Sequence, residues 1–129
     1  NYNLVDLSHC SIDKMTQLKG ASVIVSNSLL HHLHHPQKLW DCVKGLAAPN
    51  AFMLHRDLRR PSHEREVDAL CDRYAREAPS VLQRDFRASL IAAFTPEEVR
   101  EQLDLAGLSQ FRVGAIGDRY LEVCGQWCS

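Results

Sequence analysis

A cluster of histidines is the first feature of this 129-residue sequence that could do chemistry. Four of them lie close together: His31, His32, His34 and His35. Two imidazoles on one face can bind zinc, as His31 and His35 would on a helix, but no carboxylate or thiolate lies at ligand spacing. Histidine also titrates near neutral pH, so His31 or His32 is a candidate general base. The alternative to a catalytic role is that one histidine packs beneath the loop and the others are solvated. We expect no metal here.

A second candidate group follows some twenty residues later and combines a carboxylate with two guanidinium groups. Asp57, Arg59 and Arg60 fall within four consecutive positions. A carboxylate there could orient an acceptor substrate, and an arginine fork could hold an acidic one. Such a trio is more often a surface ion-pair cluster. We take Asp57 as a candidate catalytic residue and both arginines as candidate substrate-binding residues.

Two short apolar segments would position these groups. Residues 21–26 (ASVIVS) are β-branched and apolar on both faces, which predicts a strand covered on both sides. Ser26 and Asn27 end that strand, and residues 51–55 (AFMLH) predict a second buried strand that ends near Asp57. Between them, helical spacing gives one apolar stripe made by Leu39, Trp40, Val43 and Leu46.

The second half of the chain predicts three helices. Residues 65–77 form the first, with Ser62 as its cap, and residues 81–93 form the next. The last begins at Thr95 and closes at Gly107, because threonine caps a helix and glycine adopts the left-handed terminal conformation. The apolar stripes are Val67, Leu70, Cys71 and Tyr74 on the first helix, and Val99, Leu103 and Leu105 on the last.

Two apolar strands close the chain. Residues 111–116 and 120–124 are joined by a short link containing Gly117, which predicts an antiparallel hairpin. The alternation of strands and helices predicts one α/β domain over residues 1–129, with a mostly parallel sheet and this C-terminal hairpin.

Composition narrows the classes of protein. A formal net charge of −1 gives no bulk attraction to nucleic acid or to anionic membranes. No apolar run approaches the roughly 20 residues of a membrane span. The five cysteines have irregular spacing, unlike a disulfide framework or a zinc site. We expect a soluble cytoplasmic protein.

Four segments, read in order, resemble one family. They are SNSLLHHLHHP, DLRRP, SLIAAFTPEEVREQLDLAGL and DRYLEVCG. They look like the C-terminal half of a class I, Rossmann-like, S-adenosylmethionine (SAM)-dependent methyltransferase that acts on small molecules. The resemblance covers about residues 21–125.

The resemblance implies a cofactor site. Ser26, Asn27 and the nearby Leu29 would contact SAM at the end of the first strand. Asp6 would match the family's acidic position near the adenine, although VDLS could instead match the acid that binds the ribose. Tyr74 and Arg87 would lie on a segment that covers the substrate.

The sequence departs from the family in one respect. It has no glycine-rich turn of the Gly-x-Gly-x-Gly type, whose backbone N–H groups would anchor the cofactor. The resemblance therefore implies weak or absent SAM binding. It also implies a bare sheet face and edge, which predicts a homodimer with residues 3–7 pairing at the edge. A non-enzymatic interaction module and a fragment of a longer gene product are the alternatives.

Overall fold

The structure is a computed structural model, and it describes residues 20–128. The predicted strand over residues 3–7 and the candidate Asp6 lie outside the described residues.

Within residues 20–128, four strands form one mixed sheet. They are β1 (Ala21–Asn27), β2 (Ala47–Leu58), β3 (Arg112–Ile116) and β4 (Tyr120–Gln126), in the spatial order β1-β2-β4-β3. β1 runs parallel to β2, whereas the β2–β4 and β3–β4 pairings are antiparallel. The α/β class and the C-terminal hairpin follow the sequence prediction, with parallel pairing between β1 and β2 in the described residues.

The second strand is longer than its apolar segment predicts. It starts at Ala47, opposite Ala21, but Val23 already pairs with Phe52, so the β2 strand bulges between these two pairs. Asn50 has a φ of 63° within this bulge. The Pro49-Asn50 turn signal therefore produces an irregularity inside the strand and does not separate it from the preceding helix.

In the described part of the chain, four helices and one 3₁₀ turn connect the strands. The helices are α1 (Gln37–Leu46), α2 (Glu64–Ala75), α3 (Ser80–Ala92) and α4 (Pro96–Leu105), and the 3₁₀ turn is Leu30–His32. Within the described part of the chain, none of these helices is long and apolar enough to cross a membrane.

The helix caps test the local sequence signals. At the start of α4, the Thr95 hydroxyl accepts from the Glu98 N–H while the Glu98 carboxylate accepts from the Thr95 N–H, which is the predicted cap completed as a capping box. Gly107 has the expected positive φ of 75°. The cap of α2 was predicted at the wrong residue, because the His63 ring, and not Ser62, accepts from the Glu66 N–H.

Helices α1 and α4 pack on one face of the sheet and bury the main core. Trp40 is fully buried there, and its indole N–H donates to the Gln102 side chain over 3.0 Å. A smaller core joins α2 to α3 through Val67, Leu70 and Leu90. Leu105 was predicted to face the core and is instead 82% exposed, because it lies two residues after Leu103 and so points away from the face that Val99 and Leu103 bury.

The opposite face of the sheet is open in the part of the chain that the structure describes. Val23, Val25, Phe52 and Leu54 are 41 to 67% exposed, although they are large apolar side chains. Val23 pairs with Phe52 and Val25 pairs with Leu54, so the four form a contiguous block. We call the face that carries this block the outer face.

Candidate functional site

The buried carboxylate of Asp57 is the centre of the candidate site. It lies near the end of β2, is 1% exposed, and accepts hydrogen bonds from three sides. Its Oδ2 accepts from the Leu30 N–H over 2.5 Å, and its Oδ1 accepts from the Leu58 N–H over 2.8 Å. Burying a carboxylate costs folding free energy unless hydrogen-bond donors stabilise its charge, so the position of Asp57 depends on these donors.

His31 provides the third partner. Its Nδ1 lies 2.5 Å from Asp57 Oδ1, and its side chain is only 6% exposed. The 3₁₀ turn brings the ring there, because the same turn supplies the Leu30 N–H to the carboxylate. The structure therefore brings together two of the three predicted catalytic residues. The third, His32, is exposed, and its ring centre lies 3.9 Å from that of His31 with the two planes tilted by 42°.

His55 belongs to the same cluster, and the sequence analysis did not identify it. Its ring is 1% exposed, its Nδ1 contacts the Ser26 hydroxyl, and its Nε2 has no hydrogen-bond partner. That Nε2 lies 3.8 Å from Asp57 Oδ2. Desolvation by burial lowers the pKa of His55 from 6.5 to about 4, against the opposing attraction of Asp57. The ring packs edge-on against Trp40.

Strand pairing explains why these groups meet. Ser26 on β1 pairs with His55 on β2, so their side chains are neighbours across the ladder. Met53, His55 and Asp57 alternate with exposed residues along β2 and therefore point to the same inner side. This two-residue period is the signal that could have identified His55, since it shares a strand face with Asp57. We call Ser26, His31, His55 and Asp57 the Asp57 cluster.

The residues predicted to bind cofactor border this cluster. Asn27 is exposed at the end of β1, where its side-chain oxygen accepts from the Ser28 hydroxyl over 3.4 Å. Leu29 is half-buried and its carbonyl accepts from the His32 N–H. Ser26 is half-buried in contact with His55. All three lie where the parallel strands β1 and β2 end, which is the edge where open α/β sheets bind ligands.

The two arginines predicted to bind substrate make contacts within the fold. The Arg59 guanidinium donates to the carbonyls of Ile116, Gly117 and Tyr120, which closes the β3–β4 turn. Arg60 donates to the Ala93 carbonyl and pairs with Glu98 over 2.7 Å. Both side chains thus connect the end of β2 to neighbouring elements, Arg59 to the β3–β4 turn and Arg60 to the segment between α3 and α4 and to α4 itself.

Tyr74 lies on α2 beside the β3–β4 turn. Its hydroxyl donates to Asp118 over 2.5 Å, and the Arg119 guanidinium stacks 3.8 Å from its ring centre. These bonds and the neighbouring Arg73 lower the pKa of Asp118 to about 2. The predicted inner position of Tyr74 is wrong, because its side chain faces this partly exposed cluster.

Arg87 ties α3 to α2, through a 2.5 Å bond to Asp68 and a 3.8 Å approach to Glu64. Its helix also contacts the 3₁₀ turn that carries His31, so α3 borders the candidate site.

The other two histidines of the predicted group, His34 and His35, do not join the Asp57 cluster. His34 and His35 are exposed and follow the 3₁₀ turn, which ends at His32, so His31 and His35 share no helix. Among residues 20–128, no group of three or more histidine, cysteine, aspartate or glutamate side chains could hold a metal ion.

Comparisons with known proteins give matches at the level of structure. No protein-family model matches the sequence, and no curated protein matches it. A SAM-dependent methyltransferase from Aquifex aeolicus is 19% identical with a TM-score of 0.52, and the match covers 84% of this chain and 48% of that one.

Two further solved structures give similar values. An O-methyltransferase family protein from Burkholderia thailandensis is 17% identical with a TM-score of 0.54, covering 99% of this chain and 35% of that one. A possible exported protein from Bordetella parapertussis is 17% identical with a TM-score of 0.57, covering 89% and 42%. The chain therefore has part of the fold of SAM-dependent methyltransferases, and it spans less than half the length of these three proteins.

Proposed function

We propose that this chain is the acceptor-side part of a SAM-dependent methyltransferase domain that acts on a small molecule. The observation that carries the proposal is the His31–Asp57 pair, 2.5 Å apart, at the strand ends of a methyltransferase-like sheet. A carboxylate that holds a histidine by Nδ1 leaves Nε2 as a base, which is the arrangement that general-base catalysis requires.

The cofactor fits this part of the fold only in part. Ser26 and Asn27 offer oxygen acceptors to hydrogen-bond donors such as the ammonium of the SAM methionine moiety. The sequence offers no glycine-rich turn to anchor the rest of the molecule. We therefore propose that this chain alone binds SAM weakly and transfers methyl groups inefficiently or not at all.

The roles of the residues follow from their bonds. SAM supplies the methyl group when it is bound. His31 takes the proton of the acceptor at Nε2, while Asp57 orients the ring and stabilises the resulting charge. The Leu30 and Leu58 N–H groups keep the carboxylate in place, so the base is positioned before the acceptor arrives.

This proposal predicts weak but localised cofactor binding. In a nuclear magnetic resonance titration of the full chain with S-adenosylhomocysteine, we expect a Kd on the order of 1 mM, about −4 kcal/mol. The signals of Ser26, Asn27 and Leu29 should shift, and those of α2 should not. ATP is the control, because it shares the adenosine but lacks the methionine end. Absence of shifts at these residues at millimolar S-adenosylhomocysteine would contradict the proposal, and so would equal shifts with ATP.

The outer face favours a second candidate function, that of a self-associating module. We propose that a second copy of the chain covers the block of Val23, Val25, Phe52 and Leu54. Apolar side chains this exposed on adjacent strands are typical of an interface.

Charge arrangement on the outer face supports a second copy as the occupant. Arg56 and Glu122 pair across β2 and β4 over 2.8 Å, next to the apolar block. A two-fold axis parallel to the strands and between β2 and β4 would place Arg56 of each copy opposite Glu122 of the other. The same symmetry, which is the commonest in oligomers, places Leu54 of each copy opposite Cys124 of the other, because these two residues pair across β2 and β4.

The size of the face predicts a weak dimer. Four strands about 4.8 Å apart and about seven residues long present roughly 400 Å², which is half of a standard interface per partner. We expect dimerisation at concentrations on the order of 100 µM by sedimentation velocity. Val25→Lys should shift the equilibrium to monomer, because it buries a charge in the interface. Val81→Lys is the matched control, since Val81 is similarly exposed but lies on α3.

Mixing two variants tests the proposed symmetry. Arg56→Glu and Glu122→Arg should each weaken self-association, and an equimolar mixture should associate more strongly than either alone, because opposite charges then face each other. A monomer at millimolar concentration, or a dimer that Val25→Lys leaves intact, would contradict the second-copy proposal.

A further inference from the structure

We propose that Asp57 fixes opposite tautomers on two histidines, so that the site presents hydrogen-bond acceptors and selects ligands that bear O–H or N–H groups. This inference rests on the proposed function, because it assigns the ligand chemistry of the same site. It depends on three contacts, which join Ser26 to His55, His55 to Asp57 and Asp57 to His31.

The tautomer of His31 follows from its carboxylate partner. Asp57 Oδ1 lies 2.5 Å from His31 Nδ1, and a carboxylate accepts but does not donate hydrogen bonds. The proton of a neutral His31 therefore resides on Nδ1. Its Nε2 carries a lone pair, and that lone pair is an acceptor for a ligand.

The tautomer of His55 is the reverse. The Asp57 Oδ2 oxygen lies 3.8 Å from Nε2, too far for a hydrogen bond but close enough for its charge to favour an N–H over a lone pair. With the proton on Nε2, His55 Nδ1 is an acceptor, so the Ser26 hydroxyl donates to it. His55 is thus a positioning residue that acts through Ser26.

The consequence concerns the groups that a ligand can present. Ser26 has one hydroxyl proton, and the bond to His55 uses it, which leaves only lone pairs on its oxygen. Ser26 Oγ and His31 Nε2 are then both acceptors, beside the buried negative charge of Asp57. Such a site favours an alcohol, a phenol or an amine, and it disfavours a carboxylate or a phosphate. Arg59 and Arg60, which could have held an anion, bond to backbone carbonyls, and Arg60 also pairs with Glu98.

Nitrogen-15 spectra of the imidazole rings test the tautomers directly, in the full chain and without cofactor. At neutral pH we expect His31 as the Nδ1–H form and His55 as the Nε2–H form, each in at least about tenfold excess over the other tautomer. Asp57→Asn should reduce the excess at His31. His34 is the reference, because it is exposed and outside the cluster. An Nε2–H form at His31 or an Nδ1–H form at His55 in the unsubstituted chain would overturn the inference, whether or not Asp57→Asn folds.

A second measurement tests the ligand class with three matched probes. Phenol carries an O–H, anisole has the same ring with that group methylated, and benzoate carries a negative charge. Phenol should shift the His31 and Ser26 signals at concentrations at least about tenfold lower than anisole, and benzoate should leave them unchanged. No difference between phenol and anisole, or a benzoate response at these residues, would overturn the ligand class. Failure of S-adenosylhomocysteine to bind would affect only the proposed function, because neither measurement contains cofactor.

Discussion

Replacing Asp57 by alanine should lower the free energy of unfolding by about 3–5 kcal/mol. The carboxylate is 1% exposed, and it accepts hydrogen bonds from the Leu30 N–H, the Leu58 N–H and the His31 ring. Alanine leaves these donors buried without an acceptor, and each unsatisfied group costs about 1–3 kcal/mol. Urea denaturation followed by circular dichroism measures the loss.

A matched substitution at Asp118 distinguishes the effect of burial from the effect of the number of polar contacts. Asp118 also has three polar partners, Arg73, Tyr74 and Arg119, but its side chain is 32% exposed. Asp118→Ala should therefore cost clearly less than Asp57→Ala, because water can replace the lost carboxylate. Equal losses for the two variants would show that the buried position of Asp57 contributes nothing specific. Asp57→Asn should lower the free energy of unfolding less than Asp57→Ala does, since the remaining amide oxygen can still accept a hydrogen bond.

Local signals predicted much of the fold. Residues 21–26 lie within β1 as predicted, although Val23 and Val25 are exposed among the described residues and the predicted coverage of both faces is wrong there. The hairpin and the start of α4 at Thr95 agree with the prediction. These features depend on neighbouring residues, such as a threonine cap with an acid three positions later, so a local pattern contains most of the information. His31 and Asp57 were each predicted as catalytic candidates, but their contact was not predicted. It arises because the parallel strands β1 and β2 end at one edge, which places the segments after them close together.

Long-range contacts explain the features that the sequence did not predict. Nothing local shows that Arg59 reaches the turn after Ile116, or that Tyr74 meets Asp118 across 44 positions. Each polar side chain looks available for a ligand until the partner that satisfies it is known. His55 shows the converse, since its two-residue spacing from Asp57 indicates a shared strand face but not that its ring contacts Ser26 and packs against Trp40.

Acidification should destabilise the protein through His55 before its carboxylates protonate. Burial lowers the pKa of His55 from 6.5 to about 4 in the folded state, so between these values the unfolded chain binds more protons. The free energy of unfolding therefore loses nothing through His55 above pH 6.5, and it falls as the pH decreases from 6.5 towards 4. At about 1.4 kcal/mol per pKa unit, the His55 contribution to this loss is roughly 3 kcal/mol.

Denaturation curves between pH 7 and pH 4.5 isolate this contribution. Asp118, with its pKa lowered from 3.8 to about 2, loses its stabilising effect only below that range, and Glu98 does so below 4.5. His55→Phe keeps an aromatic ring against Trp40 but cannot titrate, so its free energy of unfolding should fall less steeply with decreasing pH. His34→Phe, at an exposed histidine, should keep the steep dependence of the unsubstituted chain. If His55→Phe and the unsubstituted chain instead lose stability in parallel, the buried ring does not carry the acid sensitivity.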